Sequence, residues 1–376
     1  MSSRRSFLRS ASAITAVSLA LPMAAWADEP ISVVATFSIL GDMVAEVGGE
    51  HIELTTLVGP GGDAHVYQPT PQDAKAVAEA DVMFINGLEF EGWLERLSEA
   101  ASFGGEMVVA TRGIDPIAFD EHGDEHHDDH DDHAEGEHHD EEHAEGEHEH
   151  EEHAEGEHAH DHDKEHAEGE HHDHEEHAEG EHHDEEEHAG HGDHHGHDHG
   201  AFDPHAWQSL EHAVTYVDNI AAGLAQADPE NAGDYYANRA AYVAKLETLA
   251  AEVDAMMGAV PEDRRTVVTS HDAFQYFAEA YGMTFEAPQG LSTESEPSAA
   301  DVAELITQIR EEGISAVFVE SITDNRLIEQ IANETGATVG GTLYSDALSG
   351  EDGPASTYLD MMRHNATTLS QALLGS

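Results

Sequence analysis

The sequence predicts an α/β protein of two lobes, each a mostly parallel sheet with covering helices, joined by one long rigid helix. Three observations predict it. Short apolar runs alternate with helical stretches from Ile31 to Ala110 and again from Thr266 to Leu343, the pattern of strands buried on both faces. Between the two series, roughly residues 230–257 keep one unbroken helical periodicity. A His/Asp/Glu tract at 121–200 interrupts the first series. Having almost no apolar side chain larger than alanine, it cannot offset the entropy of ordering, and it is expected to be a disordered insertion in the first lobe.

Residues 1–27 carry Arg4, Arg5 and Arg9, an apolar run from Ala11 to Ala25, and Ala25-Trp26-Ala27 before Asp28. This is the arrangement of a cleaved signal peptide, and Ser3-Arg4-Arg5-Ser6-Phe7-Leu8 resembles a twin-arginine signal. The run is too short for a membrane span, and without cysteine no lipid anchor forms on a processed N-terminal thiol. The expected location is the periplasm.

The N-terminal lobe is assigned to 28–228. It should open with a strand over Ile31–Phe37, a helix over Ile39–Val47 stopped by Gly48-Gly49, and a strand over His51–Val58 ending in Gly59-Pro60-Gly61-Gly62. A helix over Pro71–Ala80, a strand over Val82–Asn86, a helix over Phe90–Ala101 and a strand over Met107–Ala110 follow, and after the tract a helix over His205–Ala225. In the linking helix, 229–258, one apolar stripe runs through Tyr235, Tyr242, Leu246, Leu249, Val253 and Met256. At about 1.5 Å per residue such a helix spans on the order of 40 Å, enough to run along two lobes. The C-terminal lobe, 259–376, alternates Thr266–Thr269, Ala273–Tyr281, Met283–Ala287, Ala299–Arg310, Ala316–Glu320, Arg326–Thr335 and Thr338–Leu343.

The formal net charge is −66 with neutral histidine. A surface this negative repels phosphate backbones and anionic headgroups and attracts cations, so nucleic acid is excluded as a partner. The absence of cysteine also excludes disulfides, thiolate metal sites and thiol nucleophiles.

The tract holds 27 of the 33 histidines and repeats His-Ala-Glu-Gly-Glu-His from His133, His143, His153, His166 and His177. A solubilising spacer would need only the acids; so many imidazoles indicate several weak metal sites. Of the six other histidines, His51, His212 and His364 read as surface or packing residues. His65 in Gly61-Gly62-Asp63-Ala64-His65-Val66-Tyr67, His205 in Asp203-Pro204-His205-Ala206-Trp207, and His271 in Thr269-Ser270-His271-Asp272-Ala273 fall beside turn residues next to strand or helix ends. Asp346, in Leu343-Tyr344-Ser345-Asp346-Ala347, follows the last strand. In parallel α/β folds, ligands collect at such places, and three imidazoles with one carboxylate satisfy a tetrahedral divalent ion. Spacing alone leaves a second reading open, in which His65 and His271 hydrogen-bond loop backbone and Asp346 caps a helix.

The ordered series Asp63-Ala64-His65-Val66-Tyr67-Gln68-Pro69, Asp203-Pro204-His205-Ala206-Trp207, Tyr235-Tyr236-Ala237-Asn238, Ser270-His271-Asp272-Ala273-Phe274, Phe318-Val319-Glu320 and Leu343-Tyr344-Ser345-Asp346 resembles the zinc- and manganese-specific solute-binding proteins of ABC importers, cluster A-I. The resemblance implies two lobes on a rigid helix with metal between them, His65 and His205 coming from the first lobe and His271 and Asp346 from the second. It gives Asp63, Asp272 and Glu320 supporting roles around these ligands. Manganese-type relatives tend to carry glutamate at the third position; His271 there favours Zn2+. Ala64 departs from relatives with an acid before the first ligand. The expected function is capture of periplasmic Zn2+, one tight ion with further weak ions in the tract, and delivery to the membrane permease of an ABC zinc importer. The protein is expected to act as a monomer, with a periplasmic zinc metallochaperone as a further expected partner. The alternatives are manganese binding and a periplasmic zinc store uncoupled from import. A hydrolytic zinc enzyme is set aside, because no glutamate adjoins the histidines as in HExxH and there is no nucleophile elbow.

Overall fold

The computed structural model describes residues 29–118 and 202–375. The expected signal peptide and the His-rich tract lie outside the described residues. Two four-stranded, all-parallel sheets form the framework. In the first, β1 (Ile31–Phe37), β2 (Ile52–Val58), β3 (Val82–Ile85) and β4 (Glu106–Val109) lie in the order β2-β1-β3-β4. In the second, β5 (Thr266–Val268), β6 (Thr284–Glu286), β7 (Ala316–Glu320) and β8 (Thr338–Leu343) lie in the order β6-β5-β7-β8. Both orders reverse beside the first strand, and the reversal opens a crevice at the carboxyl ends, where α/β sheets bind ligands.

The central strands are buried along most of their length, Val33 to Phe37 and Ala316 to Glu320 without a break. Helices cover them: α1 (Ser38–Gly48), α2 (Pro71–Glu79), α3 (Leu94–Ala101) and α4 (Leu210–Ala227) on the first sheet, and α6 (Gln275–Tyr281), α7 (Ala299–Glu312), α8 (Arg326–Thr335) and α9 (Tyr358–Gly375) on the second. Starts and stops follow local chemistry. Thr70 with Asp73 and Ser298 with Asp301 close reciprocal capping boxes at α2 and α7. None of the described helices is long and apolar enough to cross a membrane.

The linking helix is α5 (Ala232–Gly258), packed on α1 and α4 of the first lobe and on α9 of the second. Its buried stripe is Tyr235, Tyr242, Leu246, Leu249, Val253 and Met257. The expected last member, Met256, is only partly buried, because the step from Val253 is a full four residues. Two other expectations shift. The segment expected to be helical from Phe90 becomes helical only at Leu94. Gly87, Leu88 and Glu89 all take positive φ (88°, 54° and 62°), and the buried Glu91 carboxylate accepts from Asn86 N–H, Gly87 N–H and the Thr36 hydroxyl at 2.7, 3.2 and 2.6 Å. A Cβ on Gly87 would lie 2.7 Å from a Val109 methyl, so both the conformation and the space require glycine there. The stretch expected to be helical from His205 instead makes one 3-10 turn, and α4 starts behind Ser209, whose hydroxyl accepts from His212 N–H.

One contact between α1 and α9 makes a pH prediction. Asp42 accepts from the Tyr358 N–H at 2.9 Å, capping α9 from the other lobe. Burial pushes its carboxyl from 3.8 up to about 6, against the pull of that amide and with Glu46 and Asp360 adding to the rise. A folded-state pKa above the unfolded one means that this group's stabilisation is complete below 3.8 and is lost as pH rises through about 6. Asp42→Asn should therefore gain about 1–2 kcal/mol over the parent at pH 8, the gain vanishing near pH 4, as measured by urea unfolding at the two pH values.

Candidate metal centre

Four buried side chains converge at the crevice. One donor atom from each of His65, His205, His271 and Asp346 lies within 4.8 Å of every other. His65 Nε2 and His205 Nε2 are 3.4 Å apart. Asp346 Oδ2 is 3.3 Å from His65 Nε2 and 3.1 Å from His271 Nε2, and Oδ1 is 3.6 Å from His205 Nε2. Four donors about 2.0–2.1 Å from one ion in a tetrahedron sit about 3.3 Å from each other, so a cage of these dimensions suits a small divalent cation. His205, His271 and Asp346 are fully buried and His65 is 8 % exposed.

Each histidine is aimed by its neighbours. His271 leaves the end of β5 beside the end of β7, where Glu320 sits. Glu320 Oε1 accepts from the backbone N–H of Ser270 and of His271 at 2.8 and 2.9 Å, and Oε2 lies 2.7 Å from His271 Nδ1. That contact turns Nε2 inward. Asp203 does the same for His205: Oδ1 accepts from its backbone N–H at 2.9 Å and lies 2.7 Å from Nδ1. His65 is held by its backbone, which donates to Asp63 Oδ1 at 2.9 Å, and by its ring, edge-on to Phe90 with centroids 4.8 Å apart.

Of the residues expected to support the site, Glu320 alone touches a histidine ring. Asp63 fixes a backbone amide and, through Oδ2, accepts the Thr293 hydroxyl of the other lobe at 2.6 Å. Asp272 accepts from the Gln275 side chain at 2.7 Å, a local turn contact. Asp203 was not expected, although a signal existed: Asp63-Ala64-His65 and Asp203-Pro204-His205 share one Asp-x-His spacing, in which each carboxylate accepts from the N–H two residues on. His51 pairs with Asp234 at 3.0 Å, His212 packs edge-on to Tyr276, and His364 contacts the Thr342 carbonyl at 3.0 Å, all away from the cage.

The electrostatics suit a cation. Burial pushes the His65 ring down toward neutrality. Burial also opposes charge on His271, but the facing carboxylates of Glu320 and Asp346 outweigh it and hold the ring well above the usual histidine range. Burial would raise Asp346, yet His271 and His205 hold it well below the usual carboxylate range. A positive charge at the centre is favoured, and a proton on His271 competes with a metal for it. A cleft of about 830 Å³, lined by Tyr67, Glu89, Phe202 and Ser292 among others, opens onto His65.

The sequence profile described as zinc-uptake complex component A, periplasmic (ZnuA) matches residues 33–372. The manganese-binding lipoprotein MntA of Halalkalibacterium halodurans is 28% identical over 345 residues, covering 92% of this chain and 89% of that one. The iron-binding protein YfeA of Yersinia pestis is 28% identical over 374 residues, 97% and 96% of the two chains. Among solved structures, the Mn-bound periplasmic metal-binding protein from Candidatus Liberibacter asiaticus is similar at 26% identity and a TM-score of 0.66, over 92% of this chain and all of that one. The periplasmic zinc-binding protein TroA of Treponema pallidum, at 24% identity, shares the fold with a TM-score of 0.68 over 92% and 99% of the two chains. The chain thus belongs to the ZnuA family, the extracytoplasmic metal-binding components of ABC importers, which hand metal to a membrane permease and are binding proteins, not enzymes.

Proposed function

We propose that this protein captures Zn2+ in the periplasm through His65, His205, His271 and Asp346 and delivers it to the permease of an ABC zinc importer. The observation that carries the reading is the donor set: three imidazole nitrogens and one carboxylate, all within 4.8 Å of one another, with the His65–His205 edge and the three edges to Asp346 at 3.1–3.6 Å. Imidazole-rich cages favour zinc over manganese, which prefers more oxygen. Two of the rings are pre-aimed by Asp203 and Glu320, which lowers the ordering cost of binding. The export-like leader at 1–27 supports the periplasm, and the His-rich tract supports a local reservoir of weakly held ions.

Manganese is the second reading, favoured by the name of the MntA relative. The test is a competition titration of the full chain against a tight chelator, with Zn2+ and Mn2+ in parallel. One site should hold Zn2+ at least about a thousandfold more tightly than Mn2+, the tract's weak sites being masked by the chelator. Equal or reversed affinities would sink the zinc assignment.

A further inference from the structure

Asp346 follows β8 of the second lobe in sequence, but its anchorage lies elsewhere. The carbonyl of Ser345 accepts from Trp207 Nε1 and Gln208 Nε2, both at 2.8 Å. The N–H of Leu348 donates to Ser38 Oγ at 3.0 Å, and its carbonyl accepts from Gly61 N–H at 2.9 Å. Farther on, Tyr358 donates its N–H to Asp42 at 2.9 Å and its hydroxyl to the Trp207 carbonyl at 2.6 Å. The partners in these six hydrogen bonds, Trp207, Gln208, Ser38, Gly61 and Asp42, all belong to the first lobe. The preceding residue is tied the other way: Tyr344 exchanges two hydrogen bonds with Asn365 of α9, at 3.0 and 2.7 Å. The border between the lobes therefore runs between Tyr344 and Ser345, one residue before Asp346.

His271 is held in the opposite manner. Its backbone N–H and its Nδ1 both meet Glu320, on the neighbouring strand of the second sheet. Near the cage, the second sheet's own loops and α6 reach the first lobe through side-chain hydroxyls: Thr293 to Asp63, and Tyr276 to the Asp203 carbonyl at 2.8 Å and the Ile117 N–H at 3.2 Å.

We propose that His65, His205 and Asp346 form a single three-donor body fastened to the first lobe, with Gln208 and Trp207 as the positioning residues of Asp346, and that His271 is the ligand that parts from it when the ion is released. The inference rests on the four-ligand reading above and divides those ligands three to one, where chain order divides them two to two. Capture then begins on a preassembled half-site, and closure by one imidazole completes the cage. Near the cage, release needs the hydroxyl contacts of Thr293 and Tyr276 and the packing of α6 on His212 and the 206–208 turn to yield, while the buried amide and indole bonds around Ser345 persist.

The chain contains no cysteine, so paired spin labels can be placed on the full-length protein at will. Exposed Ala78 of α2, Asp352 of the 345–357 loop and Asn333 of α8 are replaced by cysteine two at a time, and distances are read by pulsed electron resonance with Zn2+ and with chelator. Removing Zn2+ should leave the 78–352 distance unchanged and shift both distances to position 333. A 352–333 distance that holds while 78–352 shifts would overturn the proposal, as would three unchanging distances. Gln208→Met keeps the bulk and loses one donor. It should speed Zn2+ transfer to a chromophoric chelator about three- to tenfold and broaden the 78–352 distribution; an unchanged rate and distribution would remove Gln208 from the positioning role. His205→Ala separates the two levels. If tight Zn2+ binding survives it, the four-ligand reading fails and the inference with it. If tight binding is lost while position 352 tracks 333, the inference alone fails.

Discussion

Replacing His205 with alanine is expected to weaken tight Zn2+ binding by at least about a thousandfold while leaving the fold intact. Loss of a partner one shell out already costs about 10–100-fold in metal affinity, and loss of a donor costs more. His205 is fully buried, with Nε2 turned toward His65 and Asp346 and Nδ1 fixed by Asp203. The fold should tolerate the change because the backbone N–H at 205 still donates to Asp203 and the Trp207 and Gln208 bonds to Ser345 are untouched. Chelator competition gives the affinity and thermal unfolding gives the fold. A well-folded variant with parental affinity would mean that the ion sits elsewhere.

Glu320→Ala should damage both stability and binding. The substitution strands two buried amides, those of Ser270 and His271, and frees the His271 ring. Breaking a buried, hydrogen-bonded charge contact of this kind costs about 3–5 kcal/mol, and the loosened ring should lower Zn2+ affinity about 10–100-fold. Glu320→Gln separates the two effects. Its amide oxygen can still accept from the two backbone N–H groups, so stability should return to within about 1 kcal/mol of the parent. The oxygen facing Nδ1 becomes an NH2 group, which cannot accept the ring proton, so the affinity loss should remain. Urea unfolding together with chelator competition on both variants reads the two effects. Full recovery of both in Glu320→Gln would reduce Glu320 to a backbone clamp.

The alternation of apolar runs and helical stretches made both lobes legible, because strands buried on two faces must be apolar throughout. The long helix was legible from its stripe, with one error at Met256, where the periodicity continues but the buried place goes to Met257. The turn at 86–93 was not legible. Phe90, Trp93 and Leu97 are spaced as on a helix, and the bonds of Glu91 to the amides of Asn86 and Gly87 just before it and to Thr36, 55 positions away, break that spacing. The four site residues stood out through their places after strands and through the ordered motifs around them. Asp203 was overlooked because it precedes a proline and reads as a turn. The attachment of Asp346 to Trp207 and Gln208 could not be read at all, since it joins residues 137 and 138 positions apart through a backbone carbonyl, and a carbonyl has no residue-type signature.

The most direct measurement is anomalous diffraction at the zinc edge from crystals of the full chain grown with one equivalent of Zn2+. The expected result is a peak between the inward-facing nitrogens of His65, His205 and His271 and the Asp346 carboxylate, at about 2.0–2.2 Å from each. Zinc bound elsewhere on the chain, with no peak among these four side chains, would contradict the account.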